Sequence, residues 1–336
     1  MKTGNAYLLA AAVICLSVTV AGCSVKKEEE KTSIRIGVSL YRGDDTFINN
    51  IRAELEQCAK DFEQETGITV HMDIEEAKGS QYTQNDQVER FIALECDALC
   101  INPVDRTAAS GVIDKAMAGN VPVVFFNRQP VEEDMNRWDE LYYVAVSAKE
   151  SAILQGNIVA ERYREDPASL DTNGDGVVSY VLLEGESSHQ DSLIRTEWSI
   201  RTLKDAGVPI ERITGGIANW ERSQASALME QWLLEYPDTI ELVICNNDDM
   251  ALGAIDAMER AEVSGIQVVG IDGTTPGIAA VEQGKMMGTV SSDKERYAKA
   301  IFTIAADKAL GRDVEADISL ENGKYYNCPQ HIVEKN

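Results

Sequence analysis

Short runs of β-branched and other apolar residues recur along the chain and alternate with segments whose apolar positions follow helical spacing. Eight such runs predict strands at 34–40, 68–73, 98–102, 121–127, 142–146, 177–185, 241–247 and 266–272. The intervening segments, such as FINNIRAELEQCAKDFEQE and QASALMEQWLLEY, are typical of amphipathic helices. Nearly continuous apolar strands separated by helices indicate parallel sheets covered on both faces. The predicted fold is therefore α/β with doubly wound parallel sheets, and 336 residues suggest two lobes rather than one domain.

Polar side chains follow several of these strands at the point where each strand ends. Because ligands bind open α/β sheets beyond the carboxyl ends of the strands, we expect these side chains to converge on one crevice. The set comprises Asp45, Asn127, His189, Asp191, Asn247 and Asp272. Taken singly, Asp and Asn are also favoured helix N-caps, and every one of these strands leads into a helix. Their occurrence as a group in both halves of the chain favours a binding site.

The residue types in this group suit a sugar. Carboxylates and amides form paired hydrogen bonds with vicinal hydroxyl groups, and Arg195 follows Asp191 by one helical turn. Phe47, at the start of the first predicted helix, and Trp220, within ANWERSQ, could cover the apolar faces of a pyranose ring. Core packing of Phe47 and a surface ion pair between Arg195 and Asp191 remain as alternatives.

The composition narrows the choice of partner. A net charge of −25 disfavours nucleic acid and anionic lipid, because both need basic patches on the protein. The sequence has no P-loop, no G-x-S-x-G elbow, no H-E-x-x-H motif and no dinucleotide fingerprint after the first strand. Its carboxylates leave open a glycoside-processing enzyme that uses an acid and base pair. The cysteines beyond Cys23 number five, an odd count, and predict neither a disulfide framework nor, with only three histidines, a zinc site.

The amino-terminal segment predicts an export signal. Residues 1–22 contain an apolar stretch of signal-peptide length. The sequence VAGC, which ends at Cys23, is similar to a bacterial lipobox, in which the cysteine is lipidated after cleavage of the signal peptide. An ordinary secretory signal is the alternative. Residues 23–33 are polar and predict a tether. The expected protein is extracytoplasmic and touches the cell membrane only through lipid at Cys23.

The stretch DTNGDG carries the first half of a calcium loop. Asp171, Asn173 and Asp175 place oxygen ligands at positions 1, 3 and 5, and Gly176 follows where the chain turns sharply. Position 12, where such loops have glutamate, is Leu182. A turn rich in Asx residues and without a metal is the alternative.

Blocks spread from about residue 34 to residue 333 resemble the type I family of bacterial periplasmic sugar-binding proteins, and within it the galactose- and glucose-binding members. These blocks are RIGVSLYRGDDTF, QNDQ, VPVVFFN, DTNGDG, HQDSLIR, IELVICNNDDMALGA and VVGIDG. The resemblance implies the sugar-binding residues Asp45, Phe47, Asn127, His189, Asp191, Arg195, Trp220, Asn247, Asp272 and Ser292, the last in place of a family asparagine. It also implies a structural calcium ion held by Asp171, Asn173, Asp175, the carbonyl of Val177, Ser179 (usually glutamine in the family) and Glu241. Glu241 would supply the ligand that position 12 lacks.

The same resemblance implies two lobes joined by a hinge of three segments, near 144–148, 291–295 and 319–324. The N-terminal lobe is then 34–145 with 294–320, and the C-terminal lobe is 146–292 with 321–336. The implied protein is a monomeric, non-enzymatic subunit that captures a galactose- or glucose-like hexose and delivers it to an ABC permease. A sensor that presents the sugar to a membrane receptor or kinase shares these features and stays open as an alternative.

Overall fold

The computed structural model describes residues 31–335, and the predicted signal peptide and Cys23 lie outside them. The strands are β1 (Ser33–Leu40), β2 (Thr69–Glu76), β3 (Ala98–Ile101), β4 (Val123–Phe126), β5 (Leu141–Val146), β6 (Val178–Glu184), β7 (Ile210–Ile217), β8 (Leu242–Cys245), β9 (Gln267–Val269), β10 (Gly288–Ser292), β11 (Tyr325–Cys328) and β12 (Gln330–Glu334). The helices are α1 (Thr46–Thr66), α2 (Gln81–Ala93), α3 (Ser110–Gly119), α4 (Glu132–Met135), α5 (Ala148–Glu165), α6 (Gln190–Asp205), α7 (Arg222–Glu235), α8 (Asp248–Arg260), α9 (Thr275–Glu282) and α10 (Lys294–Ala309). None of the helices within this part of the chain is long and apolar enough to cross a membrane.

The strands form two six-stranded sheets with matching order. The first sheet runs β11-β5-β4-β3-β1-β2 and the second runs β12-β10-β9-β8-β6-β7. All pairings are parallel except that of β10 with β12. The sheets define a first lobe, with α1–α4 and α10, and a second lobe, with α5–α9. The prediction of two doubly wound α/β lobes is confirmed.

Helices cover both faces of each sheet, which is why the central strands are apolar along their whole length. On the first sheet, α1 and α10 bury residues such as Ile51 and Ile301 on one face, and α2 and α3 bury Phe91 and Ile113 on the other. The second sheet is enclosed in the same way by α5 and α6 on one face and by α7 and α8 on the other. The apolar clusters on both faces of each sheet hold the strand ends, and the residues after them, in fixed positions.

The chain passes between the lobes three times. It leaves the first sheet after β5, returns after β10 through α10, and leaves again between β11 and β12. The sequence prediction placed the third passage near 319–324 and assigned 321–336 to the C-terminal lobe, which is wrong for 325–328. Those residues form β11 and pair with β5 in the first sheet, so the passage falls at Pro329. The segment ENGKYYNC has no apolar run, and its strand is stabilised by pairing with β5 rather than by its own pattern.

Candidate binding cleft

A cleft lies between the two lobes at the carboxyl ends of the strands, and the space not filled by protein atoms there, part of it open to solvent, is about 330 Å³. Its lining consists of Tyr41, Asp45, Phe47, Asn127, Arg128, His189, Asp191, Arg195, Trp220, Asn247 and Asp272. The structure therefore brings together nine of the ten residues for which the sequence predicts sugar binding. Tyr41 and Arg128 are additional.

Ser292 is the predicted site residue that does not line the cleft. It is the last residue of β10 and pairs with Gln330 of β12, next to the passage between the lobes. Its hydroxyl group is buried and has no hydrogen-bond partner within the described residues. The resemblance implied a family asparagine at this strand end, whereas the shorter serine side chain is buried there and does not reach the cleft.

Helix capping and cleft formation use the same side chains. Asp45 Oδ1 accepts a hydrogen bond from the Ile48 N–H at 2.9 Å at the start of α1, and its Oδ2 accepts one from the Tyr41 hydroxyl at 2.6 Å. Asn247 caps α8 in the same manner. The sequence analysis gave the helix cap and the binding site as alternatives, and in the structure these two residues cap helices and also line the cleft. Capping removes rotamer freedom, so these polar groups are held in place before a ligand arrives.

The centre of the cleft is a buried guanidinium between two carboxylates. Arg195 Nη1 donates to the Asn246 carbonyl at 2.8 Å and to Asp272 Oδ1 at 3.3 Å, and Nη2 lies 3.9 Å from Asp191 Oδ2. The predicted partner of Arg195, Asp191, is thus nearby, but the pair is buried rather than on the surface. Arg195 Nε is buried without a hydrogen-bond partner among the described residues, as is Trp220 Nε1. Such donors call for an acceptor from a bound molecule.

Burial controls the charge states in the cleft. It raises the pKa of Asp191 to about 6 and that of Asp272 well above its usual range, although Arg195 opposes both shifts. Burial lowers the pKa of His189 well below 6.5, and the positive charges of Arg128 and Arg195 act in the same direction. At neutral pH, His189 is therefore uncharged, and its Nδ1 accepts the Asp191 N–H at 3.1 Å. It can offer a neutral hydrogen bond and an aromatic surface.

The two predicted aromatic residues come from opposite lobes. Phe47 packs edge-on against Tyr297 with 5.9 Å between ring centroids, and Trp220 packs against His189 with 5.3 Å between centroids. The Trp220 ring lies over Gly185, where a Cβ would come within 2.2 Å of it. The cleft therefore has an apolar surface in each lobe besides its polar centre.

Three cleft residues hold left-handed backbone conformations that side chains rarely adopt. The φ angles are 63° for Asn127, 67° for Trp220 and 116° for Asp272. Each such residue carries local strain that the surrounding fold must offset, and strain of this kind clusters at ligand sites. Nothing in the sequence indicates it, because none of the three is glycine.

A family model described as a periplasmic binding protein domain matches residues 36–313. The chain belongs to this family. Within it, the resemblance to the type I sugar-binding proteins is confirmed by the relatives. The prediction of a binding protein rather than an enzyme is confirmed as well, because those relatives are solute-binding proteins.

Two curated relatives and one solved structure illustrate the similarity. The D-galactose/methyl-galactoside binding periplasmic protein MglB of Haemophilus influenzae is 35% identical over 279 residues, which cover 83% of this chain and 82% of the relative. A putative rhizopine-binding protein of Rhizobium meliloti is 32% identical over 84% of this chain and 87% of its own length. An ABC transporter solute-binding protein from Bacillus halodurans with bound myo-inositol is 26% identical, superposes with a TM-score of 0.75, and covers 91% of this chain and 96% of that one.

The predicted calcium loop of this periplasmic binding protein folds against Glu241. One carboxylate oxygen of Glu241 accepts the N–H groups of Thr172 and Asn173 at 2.7 and 3.1 Å, and the other accepts the Ser179 N–H at 2.9 Å. The distant glutamate and the loop are thus neighbours.

Within the loop, side-chain oxygens accept backbone N–H groups. Asp171 accepts from Gly174 and Gly176, Asn173 Oδ1 accepts from Asp175, and Asp175 Oδ1 accepts from Val177. Among residues 31–335, no three His, Cys, Asp or Glu side chains stand close enough together to hold an ion. The chemistry of the oxygen donors suits calcium, whereas their arrangement is that of a hydrogen-bonded turn.

Proposed function

We propose that the cleft binds a monosaccharide of the galactose or glucose type and that the protein delivers it to an ABC importer. The observation that carries this proposal is the Asp191–Arg195–Asp272 group, which lines a cleft with one aromatic residue from each lobe and includes a buried donor without a partner among the described residues. Carboxylates and a guanidinium match the polar edge of a pyranose, and the aromatic rings match its C–H faces. The galactose-binding relative from Haemophilus influenzae supports the choice of hexose. Because both lobes contribute contacts, sugar favours closure by rigid-body motion about the three connecting segments, which is the known mode of the family.

Calorimetric titration against a panel of monosaccharides tests this proposal. D-Galactose and D-glucose are the expected ligands. The comparison ligands are D-ribose, D-allose and myo-inositol, each of which appears in the name of a similar protein or structure. Binding of D-galactose or D-glucose with at least tenfold preference over the three comparison ligands would support the proposal. Absence of heat with every member of the panel would refute it.

Sugar affinity is expected to fall as the pH drops through about 6. Burial in the cleft raises the pKa of Asp191 to about 6 and shifts the pKa of Asp272 in the same direction. A sugar hydroxyl donates to the ionised carboxylate, so protonation removes an acceptor and one of the negative charges beside Arg195. Below the pKa, each pH unit should weaken binding by up to about tenfold per titrating group.

Titrations at pH 5, 6, 7 and 8 measure this dependence. Asp191→Asn should bind more weakly than the wild type at pH 8 and should lose part of the pH dependence. His189 should contribute nothing above pH 6, since it is already neutral there. An affinity that is constant from pH 5 to pH 8 would contradict the assigned roles of both carboxylates.

We propose further that a calcium ion binds the loop 171–179 with Glu241 and stabilises the second lobe. The support is the donor set: the side-chain oxygens of Asp171, Asn173 and Asp175, the Val177 carbonyl, the Ser179 hydroxyl and a buried glutamate beside the loop. Hard oxygen ligands of this kind are what calcium prefers. The ion would be structural, because the loop lies at the amino end of β6 and the cleft lies beyond the carboxyl end of the same strand.

We propose also that the mature chain is a monomer, anchored outside the cytoplasmic membrane by lipid at Cys23. The lipid anchor rests on the sequence of the VAGC stretch, and the monomeric state rests only on the resemblance to the family. Cys23→Ser should move the protein from the membrane fraction to the soluble fraction of the producing bacterium, and mass spectrometry should show a diacylglyceryl adduct only on the wild type. An unmodified wild-type amino terminus would indicate an ordinary secretory signal.

A further inference from the structure

Arg128 forms a two-pronged ion pair across the mouth of the cleft. Its Nη1 and Nη2 each donate to one carboxylate oxygen of Glu186, both at 2.8 Å. Arg128 follows β4 in the first lobe, and Glu186 follows β6 in the second. Pairs with this parallel geometry are among the strongest charged hydrogen bonds in proteins.

The first lobe holds the arginine in place independently of its partner. The guanidinium carbon lies 4.0 Å from the centre of the Tyr41 ring, and Nη1 also donates to the Val104 carbonyl at 3.0 Å. The Tyr41 hydroxyl is fixed in turn by the cleft residue Asp45. Arg128 is only 4% exposed, so its charge is poorly solvated unless Glu186 is beside it.

Glu186 belongs to the turn that carries the sugar-site residues of the second lobe. Its carbonyl accepts the His189 N–H at 3.0 Å, and the neighbouring Gly185 N–H donates to Asn246 Oδ1 at 3.1 Å. The ion pair made by the Glu186 side chain therefore also helps to fix the position of the segment that carries His189 and Asp191.

A second ion pair joins the lobes nearby. Arg42 Nη1 lies 3.0 Å from Glu221 Oε1, and Arg42 Nε lies 2.8 Å from Asp44. Arg42 follows β1 in the first lobe, and Glu221 follows Trp220 in the second. Each lobe-crossing pair thus joins a residue next to the cleft in one lobe to a residue next to the cleft in the other.

We propose that Arg128–Glu186 and Arg42–Glu221 form an electrostatic latch that holds the lobes closed around the bound ligand. The latch rests on the proposed sugar-binding function. Both pairs link separate lobes, so they can form only when the lobes are together and they shift the equilibrium toward the closed state. Because apparent affinity scales with the population of the binding-competent state, the latch strengthens sugar binding even where it does not touch the sugar. Glu186 is a positioning residue in this scheme, and its effect lies mainly in the rate of release.

The test compares Glu186→Gln with Glu184→Gln. Glu184 pairs with Arg212 at 2.9 Å within the second lobe and its side chain is 20% exposed, against 21% for Glu186. The two substitutions therefore remove the same charge at the same burial from strand-end ion pairs, but only one of these pairs crosses the cleft. D-Galactose or D-glucose, whichever binds the wild type, serves as ligand, with calorimetry for affinity and stopped-flow tryptophan fluorescence for rates.

Glu186→Gln is expected to bind at least about tenfold more weakly, mostly through faster dissociation, since truncating one member of a buried charge pair acts on release. Glu184→Gln should stay within about twofold of the wild type. Raising the salt concentration should weaken wild-type binding more than that of Glu186→Gln, because only the wild type has the full latch to screen.

The other possible results would contradict either the latch or the proposed sugar-binding function. Equal affinity and equal release rates in the two variants would overturn the latch and leave sugar binding intact. A wild type that binds no sugar would overturn the proposed function and the latch with it. If Glu186→Gln failed to fold, as judged by thermal melting, Arg42→Gln would replace it in the comparison with Glu184→Gln. The salt dependence of wild-type binding would be measured alongside.

Discussion

Replacing Trp220 by alanine is expected to weaken sugar binding by roughly a hundredfold or more, because truncating a central buried aromatic typically costs several kcal/mol of binding free energy. Trp220 is 7% exposed, lines the cleft and packs against His189. Its removal also opens the apolar cluster between β6, α7 and α8, so the melting temperature should fall as well. Calorimetric titration and thermal melting of the same preparation separate the two effects. Near-wild-type affinity would mean that Trp220 is only part of the core.

Gly185→Ala tests the same ring without removing it. The new methyl group would lie 2.2 Å from ring atoms of Trp220, so the ring must move away from its place in the cleft. Sugar affinity should drop by at least about tenfold although every cleft side chain is still present. Gly111→Ala is the matched control, since its new methyl group, in the first lobe, meets nothing closer than 3.6 Å. Equal affinity in both variants would show that the position of the Trp220 ring does not matter for binding.

The cleft was predictable because its residues stand directly after apolar strands. Asp45, Asn127, Asp191, Asn247 and Asp272 all follow a strand that is buried on both faces, and the carboxyl ends of such strands meet at one edge of a sheet. Spacing along the chain could not show that Arg195 lies in the cleft, because a separation of one helical turn from Asp191 is equally compatible with an ion pair on the surface. The pair is buried, and its further partner Asp272 lies 77 residues from Arg195 in the sequence, so spacing alone shows neither feature.

Tyr41 and Arg128 were missed although both are adjacent to predicted segments. Arg128 directly follows Asn127, yet its partner Glu186 is 58 residues further on. An arginine in a loop is usually solvent-exposed, so only the assembled lobes reveal that this one is buried against Tyr41. Ser292, the predicted site residue that does not line the cleft, came from the resemblance to a family that has the longer asparagine there and not from the chemistry of serine.

Four of the described strands lie outside the eight apolar runs. One of them, β10, is buried along its length, but its sequence GTVSS has a single large apolar residue and forms no apolar run. β7 is an edge strand whose residues are half-buried or exposed, so it has no apolar run to mark it. β11 and β12 are at the opposite edges of their sheets and are equally mixed in composition. Edge strands depend on hydrogen bonds to a neighbour already in place, and a single sequence does not show that neighbour.

Calcium is expected to raise the melting temperature by roughly 5 °C, and a chelator should reverse the rise. Binding to the native state alone contributes about 2.7 kcal/mol when the ion is a hundredfold above its dissociation constant. Asp171 and Asp175 in the loop and Glu241 beside it accept backbone N–H groups, so calcium binding requires these carboxylates to exchange some of those hydrogen bonds for contacts with the ion. The measurement is the difference between melting with calcium and melting with chelator, because the loop also has stability of its own from its hydrogen bonds.

Asp175→Asn separates the ion from those hydrogen bonds. Asparagine keeps an oxygen acceptor for the Val177 N–H, which Asp175 Oδ1 accepts at 2.9 Å, but it removes one negative charge. The calcium response should shrink while melting in chelator stays close to wild type. Glu241→Gln should lower both values, since Glu241 also accepts three backbone N–H groups. If calcium and chelator leave the wild-type melting curve unmoved, hydrogen bonds to Glu241 are sufficient to hold the loop. Sugar affinity should change little in Asp175→Asn, because the whole length of β6 separates the loop from His189 and the cleft.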